Sequence, residues 1–161
     1  KINIKAFEAQ WNVYKMFKES INLNDIKNIK LYPNAVSDKD NETITVELPN
    51  YSKINNFGGL ELQQPYQNSD NYELEKSGVF EQIKTITLDS FDEKVDFIKI
   101  DVEGMEQKVL EGSKKIITNY RPIFFIEILK SNFKEIEKFF KDFNYNVYVK
   151  GIDAFMIPKE L

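Results

Sequence analysis

The segment from residue 95 to residue 119 constrains the fold more than any other part of the sequence. Residues 95–102 are rich in Phe and Ile, which is typical of a buried strand, and a helical pattern of apolar residues follows Gly104. Met105, Val109, Ile116 and Ile117 take the inward positions of that helix, which we predict over residues 105–119. A strand that enters a helix through one short turn is the unit from which α/β folds are built.

The rest of the chain continues this alternation. A period of two over residues 2–8 predicts a strand that finishes at a carboxylate, and a helical stripe follows over residues 10–23. Alternating or apolar segments predict further strands over residues 28–36, 42–48, 81–88, 123–129, 145–149 and 153–157. The sequence therefore predicts an α/β sheet with helices on its faces.

Local signals refine this pattern. Pro33 should end the second strand or place it at an edge, and Ser131 is positioned to cap a last helix with an aromatic stripe. The nearly continuous apolar run 123–129 predicts a strand covered on both faces. Residues 51–78 show neither period and predict a long loop, in which Gly58 and Gly59 indicate a turn more than a phosphate-binding loop.

Composition limits the chemistry. A chain of 161 residues with 42% apolar content predicts a single domain over residues 1–161. The absence of both Cys and His excludes disulfides, thiolate zinc sites and histidine bases, which leaves carboxylates, Lys, Tyr and Ser. A net charge of -4 disfavours nucleic acid as a partner, and the lack of a long apolar run predicts a soluble, cytoplasmic protein.

Three carboxylates stand where predicted strands end: Glu8, Asp101 and Glu127. Ligands of open α/β sheets bind beyond the carboxyl ends of the strands, so these side chains can converge on one crevice. The period of two also places Lys99, Asp101 and Glu103 on the same side. The alternative is structural: Glu8, Asp101 and Glu103 could be solvated or cap the helices that follow. Glu127 lies in an apolar strand and needs either a functional role or an ion pair.

Several motifs resemble one known family. The run from Phe97 to Glu106, Val109-Leu110-Glu111-Gly112, Arg121-Pro122 and Phe125-Ile126-Glu127 closely resembles the C-terminal signature of the FkbM-type methyltransferases. The segments 34–38 and 84–89 match the order of the same family. These matches cover most of the chain and are rather specific.

The resemblance implies a Rossmann-like class I methyltransferase sheet, mostly parallel with an antiparallel C-terminal strand, that uses S-adenosylmethionine to methylate a hydroxyl of a sugar, polyketide or related metabolite. It assigns the ribose of the cofactor to Glu8 and the surroundings of adenine to Ala35 and Val36. Asp101 and Glu103 would lie beside the methyl group and the acceptor, and Glu127 would face the acceptor. Asp101 is the first candidate for accepting the acceptor's proton.

A divalent metal held by Asp101, Glu103 and Glu127 is a minor alternative, because Mg²⁺ and Ca²⁺ prefer oxygen ligands.

Two other functions also stay open. One is a methyltransferase-like module that binds a partner without catalysis, and the other is a domain that binds a nucleotide sugar.

One departure from the family concerns its first strand and glycine-rich loop, which the seven residues before Glu8 do not supply. The start at Lys1 predicts a fragment or a processed chain that covers the C-terminal two-thirds or more of the family domain. The strand would lie between those ending at Glu8 and Asp101, and its loss would leave two sheet edges open to each other or to a second copy of the chain. We therefore expect this chain to bind the cofactor weakly or not at all.

Overall fold

The computed structural model describes residues 2–54, 56–62 and 75–161. Its strands are β1 (Ile4–Phe7), β2 (Ile29–Tyr32), β3 (Ala35–Val36), β4 (Thr43–Pro49), β5 (Lys76–Ile86), β6 (Phe97–Ile100), β7 (Ile123–Glu127), β8 (Tyr145–Lys150) and β9 (Asp153–Pro158). Its helices are α1 (Trp11–Leu23), α2 (Glu106–Glu111), α3 (Lys114–Tyr120) and α4 (Phe133–Asp142), and short 3-10 turns cover Phe57–Gly59 and Leu88–Ser90.

The strands form three sheets in the described part of the chain, with the orders β1-β2, β3-β5-β4 and β6-β7-β9-β8. The ladders β1/β2, β3/β5 and β6/β7 are parallel. The ladders β4/β5, β7/β9 and β8/β9 are antiparallel. The α/β class and the antiparallel C-terminal strand are thus confirmed, whereas the ladders are evenly divided between the two directions instead of mostly parallel.

The main core lies between the four-stranded sheet and the helices that follow its strands. Leu110 of α2, Ile117 of α3, Phe124 of β7 and Phe140 of α4 are all fully buried there. The rings of Phe124 and Phe140 meet edge to face with centroids 4.9 Å apart, an arrangement worth about 0.5–1.5 kcal/mol beyond the area it buries. The predicted aromatic stripe of the last helix is therefore a core stripe.

The prediction that β7 is covered on both faces is wrong in part. Phe124 and Ile126 are fully buried, but Ile123 and Phe125 on the opposite face are only half-buried. Phe125 packs there against Phe155 of β9, which remains 40% exposed. The sequence of β7 is continuously apolar because the face with Ile123 and Phe125 also carries large apolar side chains. The core residues of the described helices belong to the cluster that contains Phe124 and Ile126, on the opposite face.

Three other boundaries differ from the sequence prediction. The strand predicted over residues 28–36 divides into β2 and β3 around Pro33, whose ring removes the backbone donor that a ladder needs. The helix predicted over residues 105–119 is interrupted between Glu111 and Lys114, and the carboxylate of Asp89 accepts hydrogen bonds from the backbone N–H groups of Lys115 and Ile116 in the first turn of α3. The loop predicted to reach residue 78 ends earlier, because β5 begins at Lys76.

Ser131 does not cap α4. The N-terminal flanking residue of that helix is Asn132, and the Ser131 hydroxyl donates to Glu106 instead. The predicted loop 51–78 also contains residue 55 and residues 63–74, which lie outside the described residues. Within the described ranges, no helix is long and apolar enough to cross a membrane.

Candidate active site

The end of β1 contributes Glu8. Its Oε1 accepts a hydrogen bond of 2.8 Å from the backbone N–H of Gln10, so it supports the start of α1 as the structural alternative proposed. The same side chain also lines a crevice. Burial raises the pKa of the Glu8 carboxyl, two backbone hydrogen bonds oppose the rise, and the nearby charge of Glu81 adds to it. Glu8 is therefore a partly desolvated acceptor at the wall of a cavity.

Gln10 anchors the loop that follows β4. The side chain is 5% exposed, its Nε2 donates 2.7 Å to the carbonyl of Phe57, and its Oε1 accepts from the hydroxyl of Tyr51 at 3.0 Å. No sequence pattern pointed to this residue. Its signal was weak, since a single Gln before a helical stripe is also common on exposed helix starts.

The end of β6 contributes Asp101 and Glu103. Asp101 forms an ion pair of 2.8 Å with Lys99, which confirms that these two side chains lie on the same side of the strand. Glu103 adopts a left-handed backbone conformation with φ of 52°, and Gly104 follows with φ of 95°. Such a conformation is uncommon for a residue with a side chain and turns the chain sharply toward α2.

Glu106 supports this turn from inside. It is 2% exposed, its Oε1 accepts from the backbone N–H of Gly104 at 3.2 Å, and its other oxygen accepts from Ser131. A buried carboxylate with these partners is satisfied, so Glu106 holds the backbone and is not itself a candidate catalytic group.

The end of β7 contributes Lys130, which lies between two carboxylates. Its Nζ is 2.9 Å from Oε1 of Glu61 and 2.7 Å from Oε2 of Glu103. No sequence pattern pointed to Lys130 either, because a Lys directly after the predicted strand 123–129 is indistinguishable from an ordinary exposed one. Only the folded chain brings Glu61, Glu103 and Lys130 together.

Most of the predicted site residues line one crevice. Glu8, Ala35, Val36, Asp101 and Glu103 all line it. The other lining residues are Phe7, Ala9, Gln10, Asn34, Gly58, Leu60, Leu62, Val102 and Met105. Ala35 and Val36 are 3% and 8% exposed, so this part of the wall is compact and apolar. Gly58, predicted as a simple turn, forms that turn and also borders the crevice.

Glu127 is not among the residues that line this crevice. It lies at the same end of the sheet, opposite Asp153 in the β7/β9 ladder. Burial raises the pKa of its carboxyl, and the charges of Asp101, Glu103 and Asp153 raise it further, while Lys99 opposes them. Its predicted place beside an acceptor stays a prediction.

The metal alternative finds no support in the described ranges, where no group of three or more acidic side chains is arranged to hold an ion. Asp101 and Glu103 are paired with Lys99 and Lys130, respectively.

Comparisons with known proteins concern the family and the fold of the chain. The family model described as the methyltransferase FkbM domain matches residues 3–147. Among solved structures, that of the methyltransferase FkbM from Methylobacillus flagellatus KT matches with a TM-score of 0.65 and 12% sequence identity, a likeness that concerns the fold alone. The match covers 96% of this chain and 36% of that one. No curated protein matches the chain.

Proposed function

Because the chain belongs to the FkbM methyltransferase family, we propose that it transfers a methyl group from S-adenosylmethionine to a hydroxyl of a small metabolite such as a sugar or polyketide. The observation that carries the proposal is the single crevice that Glu8, Ala35, Val36, Asp101 and Glu103 line together. These residues come from three separated parts of the chain. A crevice beyond the ends of parallel strands is also where α/β folds bind their ligands.

The wall near β1 and β3 fits the nucleoside half of the cofactor. Glu8 can accept hydrogen bonds from a ribose diol, since a carboxylate has about four acceptor sites and the backbone contacts with Ala9 and Gln10 use two of them. Ala35 and Val36 line the same crevice, and we propose that the apolar wall to which they belong packs against the base. Gln10 fixes the adjoining loop through Phe57, so this wall is held in place before a ligand binds.

The wall near β6 fits the acceptor. When bound, S-adenosylmethionine supplies an electrophilic methyl group and leaves as a neutral thioether. Asp101 is the proposed general base and accepts the proton that the acceptor's hydroxyl releases. Glu103, on the same wall, orients that hydroxyl, and Glu127 is proposed to contact a more distant part of the acceptor. Positioning of the two reactants would supply much of the rate.

The open edges of β1 and β6 support the finer fold assignment. Among the described residues, β1 pairs with β2 alone and β6 pairs with β7 alone. We propose that these two strands belong to one Rossmann-like sheet whose first strand and glycine-rich loop this chain does not supply. A second copy of the chain could also occupy such an edge, because unpaired strand edges are templates for pairing.

Calorimetry with S-adenosylhomocysteine tests the cofactor assignment. Of the two outcomes expected from the sequence, weak binding or none, we propose weak but saturable binding, with a dissociation constant of about 1 mM, because the proposed pocket holds the nucleoside half better than the methionine half. The Glu8→Ala variant should abolish the signal, and Lys141→Met, in an exposed ion pair on α4, should preserve it. No saturable heat at millimolar ligand would contradict cofactor binding by this chain.

A competing ligand separates the remaining alternatives. Saturation by a nucleotide diphosphate sugar, without a response to S-adenosylhomocysteine, would favour nucleotide-sugar binding instead. Binding of neither ligand would favour a methyltransferase-like module that acts through protein contacts.

A further inference from the structure

Three segments of the chain meet at the ammonium group of Lys130. Glu61 follows the 3-10 turn Phe57–Gly59, Glu103 follows β6, and Lys130 follows β7. The two distances from Lys130 Nζ, 2.9 Å to Glu61 and 2.7 Å to Glu103, are those of direct charge-assisted hydrogen bonds. Segments far apart in sequence are therefore joined through a single cation.

This triad, Glu61-Lys130-Glu103, differs from an ordinary surface ion pair. The exposed fractions of the three side chains are only 20%, 22% and 19%, respectively. Burial alone would lower the pKa of Lys130, but the hydrogen bonds and charges of Glu103 and Glu61 outweigh it and raise the pKa. Exposed pairs are typically worth little, whereas a partly desolvated cation that serves two carboxylates is costly to remove.

Both carboxylates of the triad belong to the crevice or adjoin it. Glu103 lines the crevice directly, and Glu61 lies between Leu60 and Leu62, which also line it. The turn packs closely on the strand end, since a Cβ added to Gly59 would lie 3.9 Å from Oε1 of Glu103. The triad thus joins the wall near the loop to the wall near β6.

The loop has a second anchor at its other end. Gln10 holds the carbonyl of Phe57 at 2.7 Å from the α1 side, whereas Lys130 holds Glu61 from the β7 side. Between them, the backbone N–H of Gly59 donates to the carbonyl of Asn56 at 3.1 Å. The segment 57–62, which lines the crevice with Gly58, Leu60 and Leu62, is therefore fixed at two points.

The left-handed backbone of Glu103 makes the triad more significant. A non-glycine residue in that region is strained and keeps the conformation only when its surroundings determine it. Gly104 lies directly against the backbone of Lys130, because a Cβ added there would meet the carbonyl oxygen of Lys130 at 3.5 Å. The backbone contact and the ion pair together set the direction of the Glu103 side chain.

We propose that Lys130 is a positioning residue, which holds the segment 57–62 against the end of β6 and orients Glu103 toward the acceptor side of the crevice. Its role toward the acceptor rests on the proposed function. Its role toward the loop does not, and the experiment separates the two.

Hydrogen exchange of the backbone amides tests the loop role without any ligand. In Lys130→Met, we expect the Gly59 amide to exchange at least about tenfold faster, which corresponds to about 1.4 kcal/mol of lost local protection. The core amides of Phe124 and Ile126 should keep their protection. Lys130→Arg should restore the slow exchange, because a guanidinium can serve both carboxylates.

Glu61→Gln is the complementary variant, since it leaves Lys130 and Glu103 paired and removes only the link to the loop. It should accelerate exchange at Gly59, and Lys130→Met combined with Glu61→Gln should exchange no faster than Lys130→Met alone. The control Lys141→Met, which breaks the exposed pair with Glu137 on α4, should leave the loop unchanged.

Unchanged exchange at Gly59 in Lys130→Met, or strictly additive effects of the two substitutions, would overturn the proposal. A uniform loss of protection that includes the core amides, and that Lys130→Arg does not rescue, would also overturn it in favour of a general structural role.

Calorimetry with S-adenosylhomocysteine then addresses the proposed function separately. If the unmodified chain fails to bind this probe while the exchange results hold, the proposed function fails and the loop role of Lys130 stands. If the chain binds the probe but exchange is insensitive to Lys130, the positioning role fails alone.

Discussion

Gly112 offers the sharpest test of how the helices are packed on the site. It lies between α2 and α3, and a Cβ added there would be 2.1 Å from the carbonyl oxygen of Ser37. The same Cβ would be 3.1 Å from the carbonyl carbon of Ser37 and 3.2 Å from Cα of Asp38. All three atoms are backbone, so no side-chain rotation relieves the contact. The φ of Gly112 is -84°, which Ala adopts without strain, so steric overlap is the main cost of Gly112→Ala.

The magnitude follows from the movement that the overlap requires. Reaching 3.0 Å, which is still tighter than most real Cβ contacts, requires the two backbones to move apart by at least 0.9 Å. Hydrogen bonds restrain both backbones. The N–H of Ser37 donates to the carbonyl of Ile86 at 2.9 Å, and the carbonyl of Gly112 accepts from the N–H of Asp89 at 2.9 Å. Overpacking costs about 1–3 kcal/mol, and two restrained backbones favour the upper end. We therefore expect a loss of about 3 kcal/mol and a fall in Tm of about 6–12 °C.

Urea unfolding measured by circular dichroism gives the free energy directly. Gly58→Ala is the matched control, because its Cβ would meet only a side-chain oxygen, Oδ1 of Asn56, at an ordinary 3.6 Å. It should change stability by less than about 0.5 kcal/mol. If Gly112→Ala were equally mild, the close approach of the α2–α3 junction to the residue after β3 would be refuted. The steric reason for a glycine at the end of the Val109-Leu110-Glu111-Gly112 motif would be refuted as well.

Three further predictions concern single side chains. Burial raises the pKa of Glu8 in the folded protein above its usual value of 4.5. Ionisation of Glu8 therefore opposes folding, and this cost develops as the pH rises from about 4.5 through the raised pKa. Glu8→Gln should therefore raise Tm at pH 7, and Tm of this variant should fall less than that of the unmodified chain as the pH rises from about 4.5 to 7. Arg121 lowers the pKa of Glu160 to about 2. The stability that Glu160 adds should be complete above about pH 4.5 and vanish toward pH 2, and Glu160→Gln should abolish this acid-side dependence in unfolding curves. Tyr145 donates a buried hydrogen bond of 3.0 Å to the carbonyl of Pro122, so Tyr145→Phe should cost about 1–3 kcal/mol in urea unfolding, and no loss would contradict the burial of that acceptor.

The family motifs take on distinct physical roles in the structure. Arg121, the first residue of the Arg121-Pro122 motif, ends α3 in a left-handed conformation and forms a two-point contact with Glu160 at 2.6 and 3.0 Å. It also donates to the carbonyl of Phe143 at 2.6 Å and stacks its guanidinium on Tyr145. This motif therefore joins the last helix and strands to the rest of the fold, whereas the motif around Asp101 borders the crevice.

The sequence by itself determined the α/β class, the existence of most elements and five residues of the crevice. It could do so because strand and helix periods are local, and because the ends of parallel strands meet at one edge of a sheet whatever their exact pairing. Glu8 and Asp101 were predicted from their positions at strand ends, and Glu103 from the period of two that it shares with Asp101. Ala35 and Val36 came only from the resemblance to the family.

Tertiary structure decided what depends on residues far apart in the chain. Gln10 and Lys130 became part of the site through contacts with Phe57, Glu61 and Glu103, which no periodicity encodes. The Asp89 carboxylate accepts a hydrogen bond from the backbone of the first turn of α3, although the two are far apart in sequence. Gly112 has no side chain, and the backbone of Ser37 lies where its Cβ would be. Each of these roles follows from the distance between two segments, and that distance is set by how the sheets and helices pack.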